Sequence, residues 1–140
     1  MRIVLDTNVV VAGMRSPLGG SAELLRRVDE GTVSIMLTVA LALEYEAICT
    51  MAEHRLASGL SAAEAQLFVD TLIDMGEAVS NFFRWRPQLR DPGDELVLEA
   101  AVNGRASAIV TFNDKDFREA RSGFDIEVLR PGEVLRRLKS

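Results

Sequence analysis

The chain has 140 residues, 48% of them hydrophobic, which suits one domain with a sizeable core. A single cysteine, Cys49, excludes an intrachain disulfide, and with a single histidine, His54, it also excludes the usual zinc sites. The net charge of −5 argues against a general nucleic-acid binder, and no apolar run approaches the ~20 residues needed to cross a bilayer.

Ile3-Val4-Leu5 is a short apolar run that reads as a buried strand, and it ends at Asp6. Asp6 also interrupts the stretch closest to a signal peptide, so one cytoplasmic domain over residues 1–140 is expected, with no membrane partner. Val9 to Met14 predicts a turn or two of helix, and Ser16 to Gly20 a loop. Ser21 is placed to cap a helix carrying Leu24, Leu25 and Val28 on one face and stopped by Gly31. Val33 to Leu37 reads as a second strand. Thr38 is then an N-cap for a long helix through about Arg55, in which Cys49 is expected to be buried.

Ser61 and Glu64 have capping-box spacing, and Leu67, Phe68, Leu72 and Met75 follow at helical spacing before Gly76. The Asn81 to Arg90 segment, with Phe82, Phe83, Trp85 and Pro87 among arginines, reads as irregular cover. Asp91-Pro92 opens a helix reaching Asn103-Gly104. Ala108 to Thr111 predicts a strand, Asp114 to Arg121 a short helix, and Ile126 to Leu129 a last strand. Pro131 opens a closing helix with Val134, Leu135 and Leu138. This alternation predicts a three-layer α/β/α fold on a mainly parallel sheet. Ligands bind such sheets beyond the carboxyl ends of the strands, where Asp6, Thr38 and Thr111 fall.

Four acids stand out. Asp6 follows a strand directly, although aspartate is also a favoured N-cap. Glu44 interrupts an apolar stripe of Leu41, Ile48 and Met51, whereas Glu46 lies about 200° away around the helix. A carboxylate on a buried face needs a partner or a metal, and the competing reading is a solvated helix edge. Asp91 is explained fully as an N-cap before Pro92. Asp94 then falls in the first helical turn, where the dipole favours negative charge. Asp116 follows the strand ending at Thr111, close to Asn113 and Asp114. Crowded carboxylates raise one another's pKa unless a cation neutralises them, and an all-oxygen set favours Mg2+ or Mn2+.

In sequence, these segments resemble the PIN-domain family. Ile3-Val4-Leu5-Asp6-Thr7-Asn8-Val9 is similar to its opening strand and first catalytic aspartate. Leu43-Glu44-Tyr45 resembles its second acid and Asp91-Pro92-Gly93-Asp94-Glu95 its third. Ile109-Val110-Thr111-Phe112-Asn113-Asp114-Lys115-Asp116-Phe117 resembles the closing strand and fourth acidic region. Many PIN domains have an aspartate where this chain has Asn113; among Asn113, Asp114 and Asp116, Asp116 is preferred.

The resemblance implies a divalent-metal-dependent endoribonuclease with Asp6, Glu44, Asp94 and Asp116 as catalytic metal ligands. Thr7, Asn8, Thr111 and Asn113 could orient ligands or water, though ordinary turn and cap hydrogen bonds explain them as well. The nearest group is the toxin components of toxin–antitoxin pairs, similar to VapC. That implies an RNA substrate, a cognate antitoxin and a homodimer. Arg84, Arg86 and Arg90 around Trp85 could grip RNA, or be solvated cover on a packed aromatic. Competing readings are a PIN-like binding module without catalysis and a phosphoacceptor signalling domain. The latter needs a lysine for which Lys115 is misplaced. An Asp-x-Asp phosphatase is disfavoured by Asn8.

Overall fold

A computed structural model describes residues 1–80, 89, 91–117 and 124–139. The proposed RNA contacts at Arg84, Trp85, Arg86 and Arg90 lie outside the described residues.

Ile3, Val4 and Leu5 are fully buried in strand β1 (Arg2–Leu5), as an apolar run without alternation requires when helices cover both faces of a sheet. β2 (Ser34–Leu37) and β3 (Glu77–Ala78) lie on one side of β1, and β4 (Ala108–Val110) and β5 (Glu127–Leu129) on the other. The order is β3-β2-β1-β4-β5 and every pairing is parallel. The chain therefore winds outward from β1 in one direction and later returns to wind outward in the other. The reversal falls between β1 and β4, the position where open α/β sheets form a crevice at their carboxyl ends.

The sheet is flanked by helices α1 (Thr7–Arg15), α2 (Gly20–Asp29), α3 (Val39–Cys49), α4 (Ala52–Ser58), α5 (Ala62–Met75), α6 (Pro92–Asn103) and α7 (Pro131–Lys139). The predicted three-layer α/β/α class is the observed one. α6 packs on β1, β2 and β4, α5 on β2, and α1 on α2, α3 and α4. Capping follows the sequence in three places. Thr38 accepts from Leu41 N at 3.1 Å, Ser61 and Glu64 form a reciprocal capping box, and Asp91 Oδ1 accepts from Gly93 N at 2.7 Å.

Four local features depart from expectation. Gly19, not Ser21, is the N-cap of α2; Ser21 lies inside the first turn with its hydroxyl buried and, among the described residues, without a partner. The long helix after Thr38 breaks in two. Thr50 Oγ1 back-bonds to Glu46 O at 2.7 Å, and Met51 takes an extended conformation before α4 begins. β3 has no counterpart in the sequence reading. The helix expected from Asp114 is a 3-10 turn over Asp114–Phe117, and residues 118–121 of that expectation lie outside the described residues. Cys49 is fully buried at the end of α3, and burial pushes its thiol up to about 11.

Candidate active site

Asp6 occupies the N-cap position of α1 but makes no side-chain cap. Its backbone N–H donates to Val110 O at 2.8 Å, stitching the end of β1 to β4, and its Oδ2 accepts from Thr111 Oγ1 at 2.6 Å. The carboxylate is thus tied to the next strand end, across the point where the sheet order reverses. Thr111 is fully buried and its hydroxyl oxygen also accepts from Asn113 N at 2.9 Å, so one threonine organises both the first acid and the turn after β4. Burial raises the pKa of Asp6 and outweighs the opposing hydrogen bonds from Thr111 and Thr7; the charges of Asp116 and Asp91 raise it further.

A cavity of about 330 Å³ opens at this place. It is lined by Asp6, Thr7, Asn8, Val11, Glu44, Ile48, His54, Asp91, Gly93 and Asp94. Three of the four acids picked from the sequence therefore share one wall system. Glu44 comes from α3, whose buried stripe is Leu41, Tyr45 and Cys49. The expected stripe through Met51 is not the observed one, because the helix ends before it. Glu44 stands at the edge of the true stripe, half-buried, beside Ile48 and facing α6. Tyr45, one residue on, is buried and donates its hydroxyl to Leu5 O, which pins α3 against the end of β1. Glu46 points elsewhere, accepting from Gln66 Nε2 at 3.0 Å.

Asp94 sits at the start of α6. Its pKa is raised to about 7, first by burial and then by the charges of Asp6, Asp91, Asp116 and Glu95. The helix dipole at this first turn works in the opposite direction and is overcome. Asp116, on the 3-10 turn, is exposed and does not line the cavity, but its charge is felt by both Asp6 and Asp94. Asp114 pairs with Arg130 at 3.8 Å, and the Asn113 side chain is exposed. Lys115 is also exposed and does not line the cavity.

Two ionisable residues in the wall had no functional assignment from the sequence. Asp91 is the expected N-cap and also lines the cavity. His54 reaches the cavity because α3 breaks; an unbroken helix would carry it about 15 Å along the axis from Glu44.

The donor set fits a hard divalent cation. It is made of oxygens, its charges add to burial in raising the pKa of Asp94 to about 7, and among the described residues Asn8 Oδ1 in the same wall is buried without a hydrogen-bond partner. A Cβ at Gly93 would meet Asp91 Oδ1 at 3.0 Å and Glu44 Oε1 at 3.7 Å, so the backbone there lies close to both carboxylates. Among the described residues, no three Asp, Glu, His or Cys side chains are grouped so that together they could hold a metal ion. Mg2+ does not require such a group, since it keeps several waters and commonly takes only one or two carboxylates.

The proton on Asp94 has a measurable consequence. Its folded pKa, about 7, exceeds the ordinary 3.8, so between these values the folded chain holds a proton that the unfolded chain has lost. Metal-free stability should therefore fall as pH rises through that window, with the loss complete above about 7. Because the carboxyl is only partly buried, the expected loss is about 1 kcal/mol after screening. Urea unfolding in EDTA at pH 5 and pH 8 checks this. Asp94→Asn should flatten the difference by that amount, and parallel curves for both proteins would contradict the raised pKa of Asp94.

A family model described as PIN domain matches residues 2–115. No curated protein and no solved structure gives a match.

Proposed function

The chain belongs to the PIN-domain family, and from that premise we propose that it is a divalent-metal-dependent endoribonuclease, the toxin of a toxin–antitoxin pair. PIN domains are generally nucleases that use divalent metal ions and bind RNA, so nuclease-type function comes with membership. The metal-dependent nuclease part of this reading rests on one observation. Asp6, Glu44 and Asp94, from three separate elements, line one cavity at the point where the sheet order reverses.

In this reading Asp6, Glu44, Asp94 and Asp116 hold Mg2+ or Mn2+. A cation bound there would activate water and offset charge on the phosphate during hydrolysis of the phosphodiester. The protein's own part is placement. Thr111 fixes the Asp6 carboxylate, the start of α6 presents Asp94, and the edge of α3 presents Glu44. Asp116, outside the cavity wall, adds charge that acts on Asp6 and Asp94. Among the described residues no helix is long and apolar enough to cross a membrane. The toxin role, the cognate antitoxin and the homodimer rest on the resemblance to VapC-like toxins.

The test is direct. Purified protein should cut structured RNA in millimolar Mn2+ or Mg2+ and stop when EDTA is added. Cleavage that continues in EDTA, or absence of both cleavage and Mn2+ binding by calorimetry, would sink the proposal.

A further inference from the structure

The cavity has a chemical imbalance. Its wall carries the carboxyl groups of Asp6, Glu44, Asp91 and Asp94, whose full charge one divalent ion would only half offset. A phosphodiester entering this space would meet residual negative charge unless the wall also supplies a donor or a cation. Among the described lining residues His54 is the only nitrogen base, and it sits half-buried on α4. Its Nδ1 lies 3.3 Å from Arg15 Nη1, at the last turn of α1. A guanidinium has donors and no acceptor, so the contact assigns Nδ1 as the acceptor and places the ring hydrogen on Nε2. Among the described residues Nε2 has no hydrogen-bond partner. Arg15 thus selects one tautomer and puts a positive charge behind the ring, while the donor it creates remains uncommitted.

We propose that His54 is a substrate-binding residue whose Nε2–H donates to a non-bridging phosphate oxygen of the RNA, with Arg15 as the positioning residue that fixes its tautomer. The assignment rests on the nuclease reading given above. The plain alternative is that the Arg15–His54 contact only ties α4 to α1. The two differ in what glutamine can replace. Gln at position 54 can put an amide N–H near the place of Nε2–H, whereas Ala cannot.

Four proteins are compared in Mn2+ on one oligoribonucleotide: wild type, His54→Ala, His54→Gln and Arg15→Ala. His54→Ala should raise KM about tenfold, the scale of one hydrogen bond to a charged group, with kcat held within about twofold. His54→Gln should recover most of the loss, and Arg15→Ala should raise KM by a smaller factor. Binding without turnover gives a second readout. On an inactive Asp6→Asn background, fluorescence anisotropy with the same oligoribonucleotide should show about tenfold weaker Kd on adding His54→Ala, restored by His54→Gln. Mn2+ affinity of the His54 variants should stay at the wild-type value. Wild-type KM and Kd in His54→Ala, or equal losses in the Ala and Gln variants, overturns the role of His54 and leaves the nuclease reading intact. A wild type that neither cleaves RNA nor binds Mn2+ overturns both.

Discussion

Asp6→Asn is expected to leave a folded protein that no longer cuts RNA. The substitution preserves shape and retains a carbonyl oxygen to accept from Thr111 Oγ1, the contact that ties β1 to β4 through this side chain. What it removes is the charge. Burial raises the proton affinity of Asp6, so the ionised carboxylate is disfavoured in the folded state; the charges of Asp116 and Asp91 add to this. A neutral side chain at the same place relieves that cost. It also relieves Asp94, whose elevated pKa has Asp6 as its largest charged contributor. The metal-free variant should therefore melt no lower than wild type, while its cleavage rate falls at least about 100-fold, the scale of losing one charge-stabilising group in a reaction centre. Melting in EDTA and cleavage in Mn2+ measure the two sides separately. A destabilised and inactive variant would show that Asp6 matters to the fold; an active one would remove it from the chemistry. Because many contaminating ribonucleases need no metal, the same preparation treated with EDTA serves as the control.

The frame of the molecule was readable in the sequence because buried parallel strands must be apolar on both faces and because caps and prolines mark helix starts. Ile3 to Leu5, Ala108 to Val110, and the Asp91-Pro92 start of α6 all follow from that physics. Asp6 stood out for the same reason, as an acid with a strand immediately before it. Other features carry no such mark. β3 is two residues long with both side chains exposed, so it shows neither an apolar run nor alternation; only its pairing with Met36 and Leu37 makes it a strand. The end of α3 depends on the Thr50 hydroxyl competing for a backbone carbonyl, and threonine does this in some helices without ending them. Two site features follow from that break: Met51 leaves the helix face shared with Glu44, and His54 enters the cavity. Asp91 was hidden by the adequacy of its structural explanation, since a capping aspartate raises no further question until its neighbours are seen.

Glu44 and Glu46 offer the sharpest comparison within one helix. They are two residues apart, carry the same charge, and are both half-buried, so any general effect of removing a carboxylate from α3 should appear in both. Their surroundings differ. Glu44 lines the cavity, and its Oε1 would lie 3.7 Å from a Cβ added at Gly93, on the turn that presents Asp94. Glu46 turns toward α5, where its Oε2 accepts from Gln66 Nε2, and a glutamine carbonyl can accept the same bond. Glu46→Gln should therefore change stability by no more than about 0.5 kcal/mol and leave cleavage at the wild-type rate. Glu44→Gln should weaken Mn2+ binding at least about tenfold and reduce cleavage by a similar factor or more, since even supporting groups around a metal cost that much. Its melting temperature in EDTA should stay close to wild type, because the lost charge belongs to a group of acids that repel one another. Calorimetry with Mn2+ and cleavage assays on both variants decide the matter. Equal activity in the two would mean that Glu44, despite facing the cavity, holds no part of the cation.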